Sequence, residues 1–264
     1  MSTADYHAWT VTAVTLAQQA GELARQKLAA PLERTSKGFR DLVTNADLAA
    51  QMLITSAIQQ QYPHHAFLAE ENDTTLPSTG SVHWVIDPID GTSNFSRQLP
   101  IFCTSIAAVH NDQVVAAAIY DPMRQELFQA TLGQPSLLNN QPIRVNNNTD
   151  LATSMSACDW SRDANNRTTM HKIHASLIHK VTNIRAFGSA TLSLAWIAAG
   201  RLDFYFNPRL SPWDFAAAQL ILTNAGGTLT TWNNDTPSLS SPCRILASNN
   251  HFHATLLSEF APYC

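Results

Sequence analysis

A chain of 264 residues, 45% of them hydrophobic, can bury a sizeable core as one large domain or two closely packed ones. A formal net charge of −4 and a pI near 6.2 argue against a sequence-independent grip on nucleic acid, which needs a basic face, and mean that binding an anionic ligand would call for bridging cations. The leading residues MSTADYHAW carry no basic and apolar leader, and no run approaches the roughly 18 apolar residues of a membrane span, so we expect a cytoplasmic protein with no membrane partner.

In chain order, Trp9, Ala13, Leu16, Ala20, Leu23 and Ala24 recur at helical spacing, which predicts an amphipathic helix over 6–29 ended by Pro31. Residues 35–40, with Lys37 and Gly38, read as a polar loop, either an arm near a site or solvated surface. Thr44 to Asp47 fits capping-box spacing ahead of a helix to about residue 61, with Met52, Leu53, Ala57 and Ile58 on one face. On that reading Asp47 only caps a helix. Phe67 and Leu68 form a short strand that delivers Glu70 and Glu71 at its end, before a polar loop over 72–80.

The stretch WVIDPIDGTSNF at 84–95 carries the strongest local signal. Val85 and Ile86 end an apolar strand that Pro88 and Gly91 stop. Asp87 and Asp90, three apart around a turn, can aim at one cation. Thr92, Ser93 and Asn94 then open a helix whose unpaired N–H groups suit a phosphate.

Alternating segments at 104–109, 114–120 and 126–130 predict an antiparallel meander. Residues 133–149 are loop-like, with a short strand at Ile143 and Val145, and Asn146 to Asn148 mark the expected boundary between halves, 1–148 and 149–264. The second half alternates: strand 154–157, helix 168–179, strand 184–187, helix 191–199 and strand 202–206. A helix opening at Pro212-Trp213-Asp214 and closing at Gly226-Gly227, strands at 228–232 and 244–247, and a helix over 251–260 complete it. This order predicts a layered α+β or α/β arrangement. Gly188-Ser189-Ala190 joins a strand to a helix and could offer N–H groups to a substrate, although small residues are common in such turns. Asp214, in a first helical turn, is favoured there by the dipole and also supplies a fourth acid. Cys103, Cys158, Cys243 and Cys264 show no C-x-x-C spacing, and His171, His174, His251 and His253 read as surface groups.

Glu70-Glu71, then Asp87-Pro88-Ile89-Asp90-Gly91-Thr92, then Trp213-Asp214 with Gly226-Gly227, resemble the inositol monophosphatase family of magnesium-dependent, lithium-sensitive phosphatases. The likeness runs from the LVTNAD segment at 42–47 to Ile245. It implies an αβαβα sandwich of the sugar-phosphatase type, a homodimer and two or three Mg²⁺ ions. Glu70, Asp87, Asp90, Asp214 and the Ile89 carbonyl would ligate the metals, with Asp87 bridging two of them. Thr92 paired with Asp47 would position the attacking water, assisted by Glu70. Gly91 and Thr92 would hold the phosphate. Asp90, Gly188, Ser189, Ala190, Asn207 and Asp214 would contact the substrate.

A phosphate monoester carries two negative charges and hydrolyses slowly, so charge neutralisation and an aligned water are the main needs. Four acids from three segments can hold the metals, and with no cysteine, serine–histidine or histidine nucleophile evident, direct attack by water is expected. Three positions depart from the family pattern. Inositol-type members place a hydroxyl-binding glutamate seven residues before the Trp-Asp aspartate, where this chain has Asn207, whose amide lacks the charge that strengthens such a bond. Ala218 and Asn224 replace a glycine and an acid. The expected substrate is a small phosphorylated polyol, sugar or nucleotide, with polyol or sugar phosphates first. Fructose-1,6-bisphosphatase, histidinol-phosphatase and 3′-phosphoadenosine 5′-phosphate phosphatase activities are the alternatives, and a regulatory binding partner is the non-enzymatic one.

Overall fold

The computed structural model describes residues 3–28, 34–38, 41–71 and 82–263. Helix α1 (Thr3–Lys27) is followed by an antiparallel ribbon, β1 (Arg34–Gly38) and β2 (Asp41–Thr44), and by α2 (Asn45–Gln61). Strands β3 (Ala66–Ala69) and β4 (His83–Asp90) lead into the short α3 (Thr92–Phe95), and the chain returns through β5 (Cys103–His110), β6 (Gln113–Asp121), β7 (Glu126–Thr131), β8 (Leu137–Leu138) and β9 (Gln141–Pro142). The remainder runs β10 (Met155–Cys158), α4 (Ala164–Leu177), β11 (Asn183–Arg185), α5 (Ala190–Ala198), β12 (Phe204–Leu210), α6 (Pro212–Asn224), β13 (Thr228–Thr230), β14 (Cys243–Ser248) and α7 (His253–Phe260).

Side-chain alternation along the strands sorts these elements into layers. On β4, Trp84 and Ile86 face α1 and α2, where they meet Trp9, Ala13, Leu16, Ile54 and Ile58, while Val85 faces the opposite way. Strand β5 does the same: Ile106 and Ala108 point to the first helical layer, Ala107 and Val109 to the second. That second layer is α5 and α6, whose apolar residues include Leu192, Leu194, Phe215 and Ile221, all fully buried. On β12, Tyr205 joins this central cluster, whereas Phe204 and Phe206 face Met170 and Ile173 of α4 and Leu256 and Phe260 of α7. The order is therefore α1/α2, a seven-stranded sheet, α5/α6, a five-stranded sheet, and α4/α7, an αβαβα sandwich.

The seven-stranded sheet keeps sequence order, β3 to β9, and is antiparallel except for the β3–β4 pair. In the five-stranded sheet, ordered β11-β10-β12-β14-β13, β10 lies parallel to both neighbours, so β10 and β12 carry their carboxyl ends to the same edge.

Residues 34–38 form a strand rather than the polar loop expected at 35–40, because backbone pairing with β2 outweighs their polar side-chain composition; Phe39 and Arg40 lie outside the described residues, as does the loop expected at 72–80. The strand expected at Ile143 and Val145 is replaced by β8 and β9. Helix α4 starts earlier than expected because Asp163 caps it, accepting from Asn166 N at 2.8 Å. His253 is buried between Ser248 Oγ and Thr230 Oγ1 rather than exposed, and burial pushes its pKa down to about 4. Among the described residues no helix is long and apolar enough to cross a membrane.

Candidate active site

The site begins with an irregularity in β4. Asp87 stands opposite Ser105 and Asp90 opposite Cys103, so β4 spends one more residue than β5 over this interval. Pro88, which has no N–H to give the ladder, sits inside that bulge, and its carbonyl accepts from Thr104 Oγ1 at 2.9 Å. Ile89 N donates to Asp87 Oδ1 at 3.1 Å. The bulge re-aims the two carboxylates: oxygens of Asp87, Asp90 and Asp214 all lie within 4.8 Å of one another.

Gly91 turns the chain at φ +95°, where a Cβ would stand 2.9 Å from Ile101 O and 3.2 Å from Gly188 O. The close approach to Gly188 joins the two sheets' ends. Asn94 fastens the junction, its Nδ2 donating to Ile101 O at 2.9 Å and Phe187 O at 2.7 Å. Asp90 crosses the same boundary: its Oδ2 accepts from Ser189 Oγ at 2.5 Å and from Thr191 N at 2.9 Å. Ser189 also caps α5.

Two elements of the first half complete the acid set. The capping box at Thr44 forms, with Thr44 N donating to Asp47 Oδ2 at 2.8 Å. Asp47 does more than cap, since its Oδ1 accepts from Thr92 Oγ1 at 3.1 Å, and Thr92 Oγ1 also lies 3.0 Å from Ile89 O. Gln51, one turn further along α2, exchanges two hydrogen bonds with the backbone of Glu71, at 2.8 and 2.9 Å. With Glu70 N bonded to Ile86 O, this fixes the segment carrying Glu70 beside β4. Asp214 enters from α6, where its Oδ2 caps Ser211 N at 2.8 Å.

Burial raises the Asp87 carboxyl well above its ordinary range, reinforced by the charges of Glu70, Asp90 and Asp214. Burial followed by Asp90 and Glu70 does the same to Asp214, against a small opposing pull from Arg162. Asp90 is raised by burial and partly relieved by Ser189 and Thr191. Asp47 is also raised, by desolvation. Converging oxygen donors whose mutual repulsion is this poorly relieved fit a hard divalent cation.

These groups open on a cavity of about 680 Å³, within the range of small-molecule sites. Glu70, Asp87, Ile89, Asp90, Gly91 and Thr92 line it from the first half of the chain, and Gly188, Ala190, Asn207 and Asp214 from the second. Asp47 is fully buried behind Thr92. Ser189 is 1% exposed, its hydroxyl committed to Asp90. The Gly188 N–H is engaged too, donating to Asp159 Oδ1 at 2.7 Å. Sequence reasoning overlooked Asp159, which lines the cavity together with Trp160 and Arg162. Its burial pushes its pKa up to about 7, and its Oδ2 accepts from Tyr205 OH at 3.0 Å. An available signal was an acid just past a strand in an alternating α/β segment, because ligands gather at the carboxyl ends of such strands. Gln51, Asn94 and Thr191 were missed with it, and their partners are remote in sequence.

A model of the inositol monophosphatase family matches residues 5–263. Nus factor SuhB of Escherichia coli K12 is 41% identical over 218 residues, 81% of this chain and 82% of that protein. The crystal structure of extragenic suppressor protein suhB from Bartonella henselae superposes with a TM-score of 0.92 at 29% identity, covering 97% of this chain and all of that one. Inositol monophosphate-bound SaIMPase-II, a staphylococcal protein, gives a TM-score of 0.82 at 30% identity over 97% of this chain and 95% of its own. With the layers, the acid cluster and the matches agreeing across nearly the whole length, the chain belongs to the inositol monophosphatase family.

Proposed function

We propose that this protein is a Mg²⁺-dependent phosphomonoesterase that hydrolyses a small polyol or sugar phosphate by direct attack of water. One observation carries the reading: Asp87, Asp90 and Asp214 converge within 4.8 Å on the cavity into which Thr92, backed by Asp47, also opens. Glu70, Asp87, Asp90, Asp214 and the Ile89 carbonyl would hold two or three Mg²⁺ ions. Bound there, Mg²⁺ supplies positive charge that neutralises the phosphate and makes water more acidic.

The chain's own groups then have distinct tasks. The first N–H groups of the Gly91–Thr92 turn have no intrahelical acceptor and would be the donors to the phosphate oxygens. Thr92 Oγ1 gives its proton toward Asp47 Oδ1 and can therefore accept one from the attacking water. Desolvation makes Asp47 a stronger base than an ordinary carboxylate, which favours that direction of transfer. Glu70 assists from the β3 side. Gly188, Ala190 and Asn207 border the alcohol. The first half, 1–148, supplies most of the metal site, and the second half, 149–264, adds Asp214 and the alcohol side.

A colorimetric phosphate-release screen over phosphate esters, with and without Mg²⁺ and Li⁺, tests this. Mg²⁺-dependent release that Li⁺ inhibits is the expected result. A cytoplasmic location and a homodimer belong to the same reading, and light scattering checks the dimer. A second reading, a regulatory partner of a larger assembly, is favoured by the name Nus factor carried by several relatives. Turnover of none of the esters would favour it.

A further inference from the structure

The alcohol side of the cavity lies at the carboxyl ends of β10 and β12. These strands run parallel, with Ala157 opposite Tyr205 and Cys158 opposite Phe206, so the next residues, Asp159 and Asn207, are neighbours. The Asn207 Nδ2 lies 3.5 Å from Asp159 O, and both residues line the cavity. Their remaining capacity differs. The Asn207 Nδ2 also donates to Tyr205 OH at 3.0 Å, which engages both of its N–H groups, and its Oδ1 accepts from Arg209 N at 3.0 Å, which leaves one neutral acceptor site. Asp159 accepts one bond on each oxygen, from Gly188 N and from Tyr205 OH. A carboxylate has about four lone-pair sites, so about two remain.

We propose that Asp159 is the specificity-determining residue of this protein: it supplies from β10 the hydroxyl-binding carboxylate that Asn207 of β12 does not. This rests on the phosphatase reading above and deepens it. The ligand class is a phosphate ester whose alcohol carries a further free hydroxyl. Once ionised, above a pKa of about 7, Asp159 is a charged acceptor that binds that hydroxyl more strongly than an amide does, and Gly188 N–H and Tyr205 OH hold its orientation before substrate arrives. The Gly188 that orients Asp159 is followed by Ser189, which binds Asp90, so the hydroxyl site and the acid cluster share one turn. A glutamate at 207 would crowd a second carboxylate against Asp159, which accounts for the amide there.

The test compares kcat/KM for myo-inositol 1-phosphate with that for cyclohexyl phosphate, the same ring without hydroxyls, at saturating Mg²⁺ and about pH 8.5, where Asp159 is ionised. In Asp159→Asn the inositol-to-cyclohexyl ratio is expected to fall by about 10- to 100-fold, the scale of one charge-assisted hydrogen bond. The swap Asp159→Asn with Asn207→Asp should recover most of that ratio, and Asp159→Ser should repeat the loss if the asparagine variant folds poorly. An unchanged ratio, whether because both esters slow equally or neither does, would overturn the assignment and leave the phosphatase reading intact. Release of phosphate from neither ester by the wild-type protein would overturn both.

Discussion

Replacing Asp159 with asparagine should change the pH dependence of stability in a direction the structure fixes. Burial lifts this carboxyl from its ordinary 3.8 to about 7, so the native protein holds a proton that the unfolded chain has already released. Between those values the native state binds more protons, and the wild-type protein therefore loses stability as pH rises from about 4 to about 7, then levels off. About three pH units at ~1.4 kcal/mol each set a ceiling near 4 kcal/mol, and we expect about 2–4 kcal/mol. Asparagine cannot ionise, so this contribution disappears. It also sets an amide opposite Tyr205 OH, a cost independent of pH. Urea unfolding of both proteins at pH 5 and pH 8, without divalent cations, isolates the effect. Only the roughly two pH units from 5 to about 7 fall inside this interval, so the variant should gain about 2–3 kcal/mol relative to wild type on going to the higher pH. Parallel stability curves would refute the reasoning.

Mg²⁺ should raise Tm more at pH 8 than at pH 5, because the repulsion that raises Asp87 and Asp214 grows as they ionise; equal shifts would count against a site built from those acids. Gly91→Ala should cost about 2–4 kcal/mol and most of the activity, since a Cβ 2.9 Å from Ile101 O at φ +95° meets backbone on two sides; calorimetry checks it. Gln51→Leu removes both bonds to Glu71 and should cost about 2–3 kcal/mol while weakening Mg²⁺ activation, measured as the Mg²⁺ concentration for half-maximal rate.

What could be read from the sequence was what neighbouring residues decide. The Thr44–Asp47 box and the Asp87–Thr92 turn depend on spacing and on proline and glycine, and the fold repeats both. Residues 34–38 were misread because pairing with 41–44 outweighs their own composition. Asn94 and Asp90 reach partners about a hundred positions away, at Phe187, Ser189 and Thr191, and only the packing of one sheet's end against the other brings them together. Asp159 stayed hidden for the same reason, since its value comes from lying beside Asn207 on a parallel strand. Asn207, picked out as a departure from the family pattern, proved to be wired to Tyr205 and Arg209, and its neighbour holds the carboxylate.

The most direct test of the phosphatase reading is phosphate release by the wild-type protein and by Asp90→Asn across a Mg²⁺ titration. Asp90 belongs to the acid cluster and also binds Ser189 and Thr191, and its loss should lower Mg²⁺-dependent turnover by about 10³-fold, the scale on which one group of a preorganised charge site acts. Substantial residual Mg²⁺-dependent release by the variant would contradict the account.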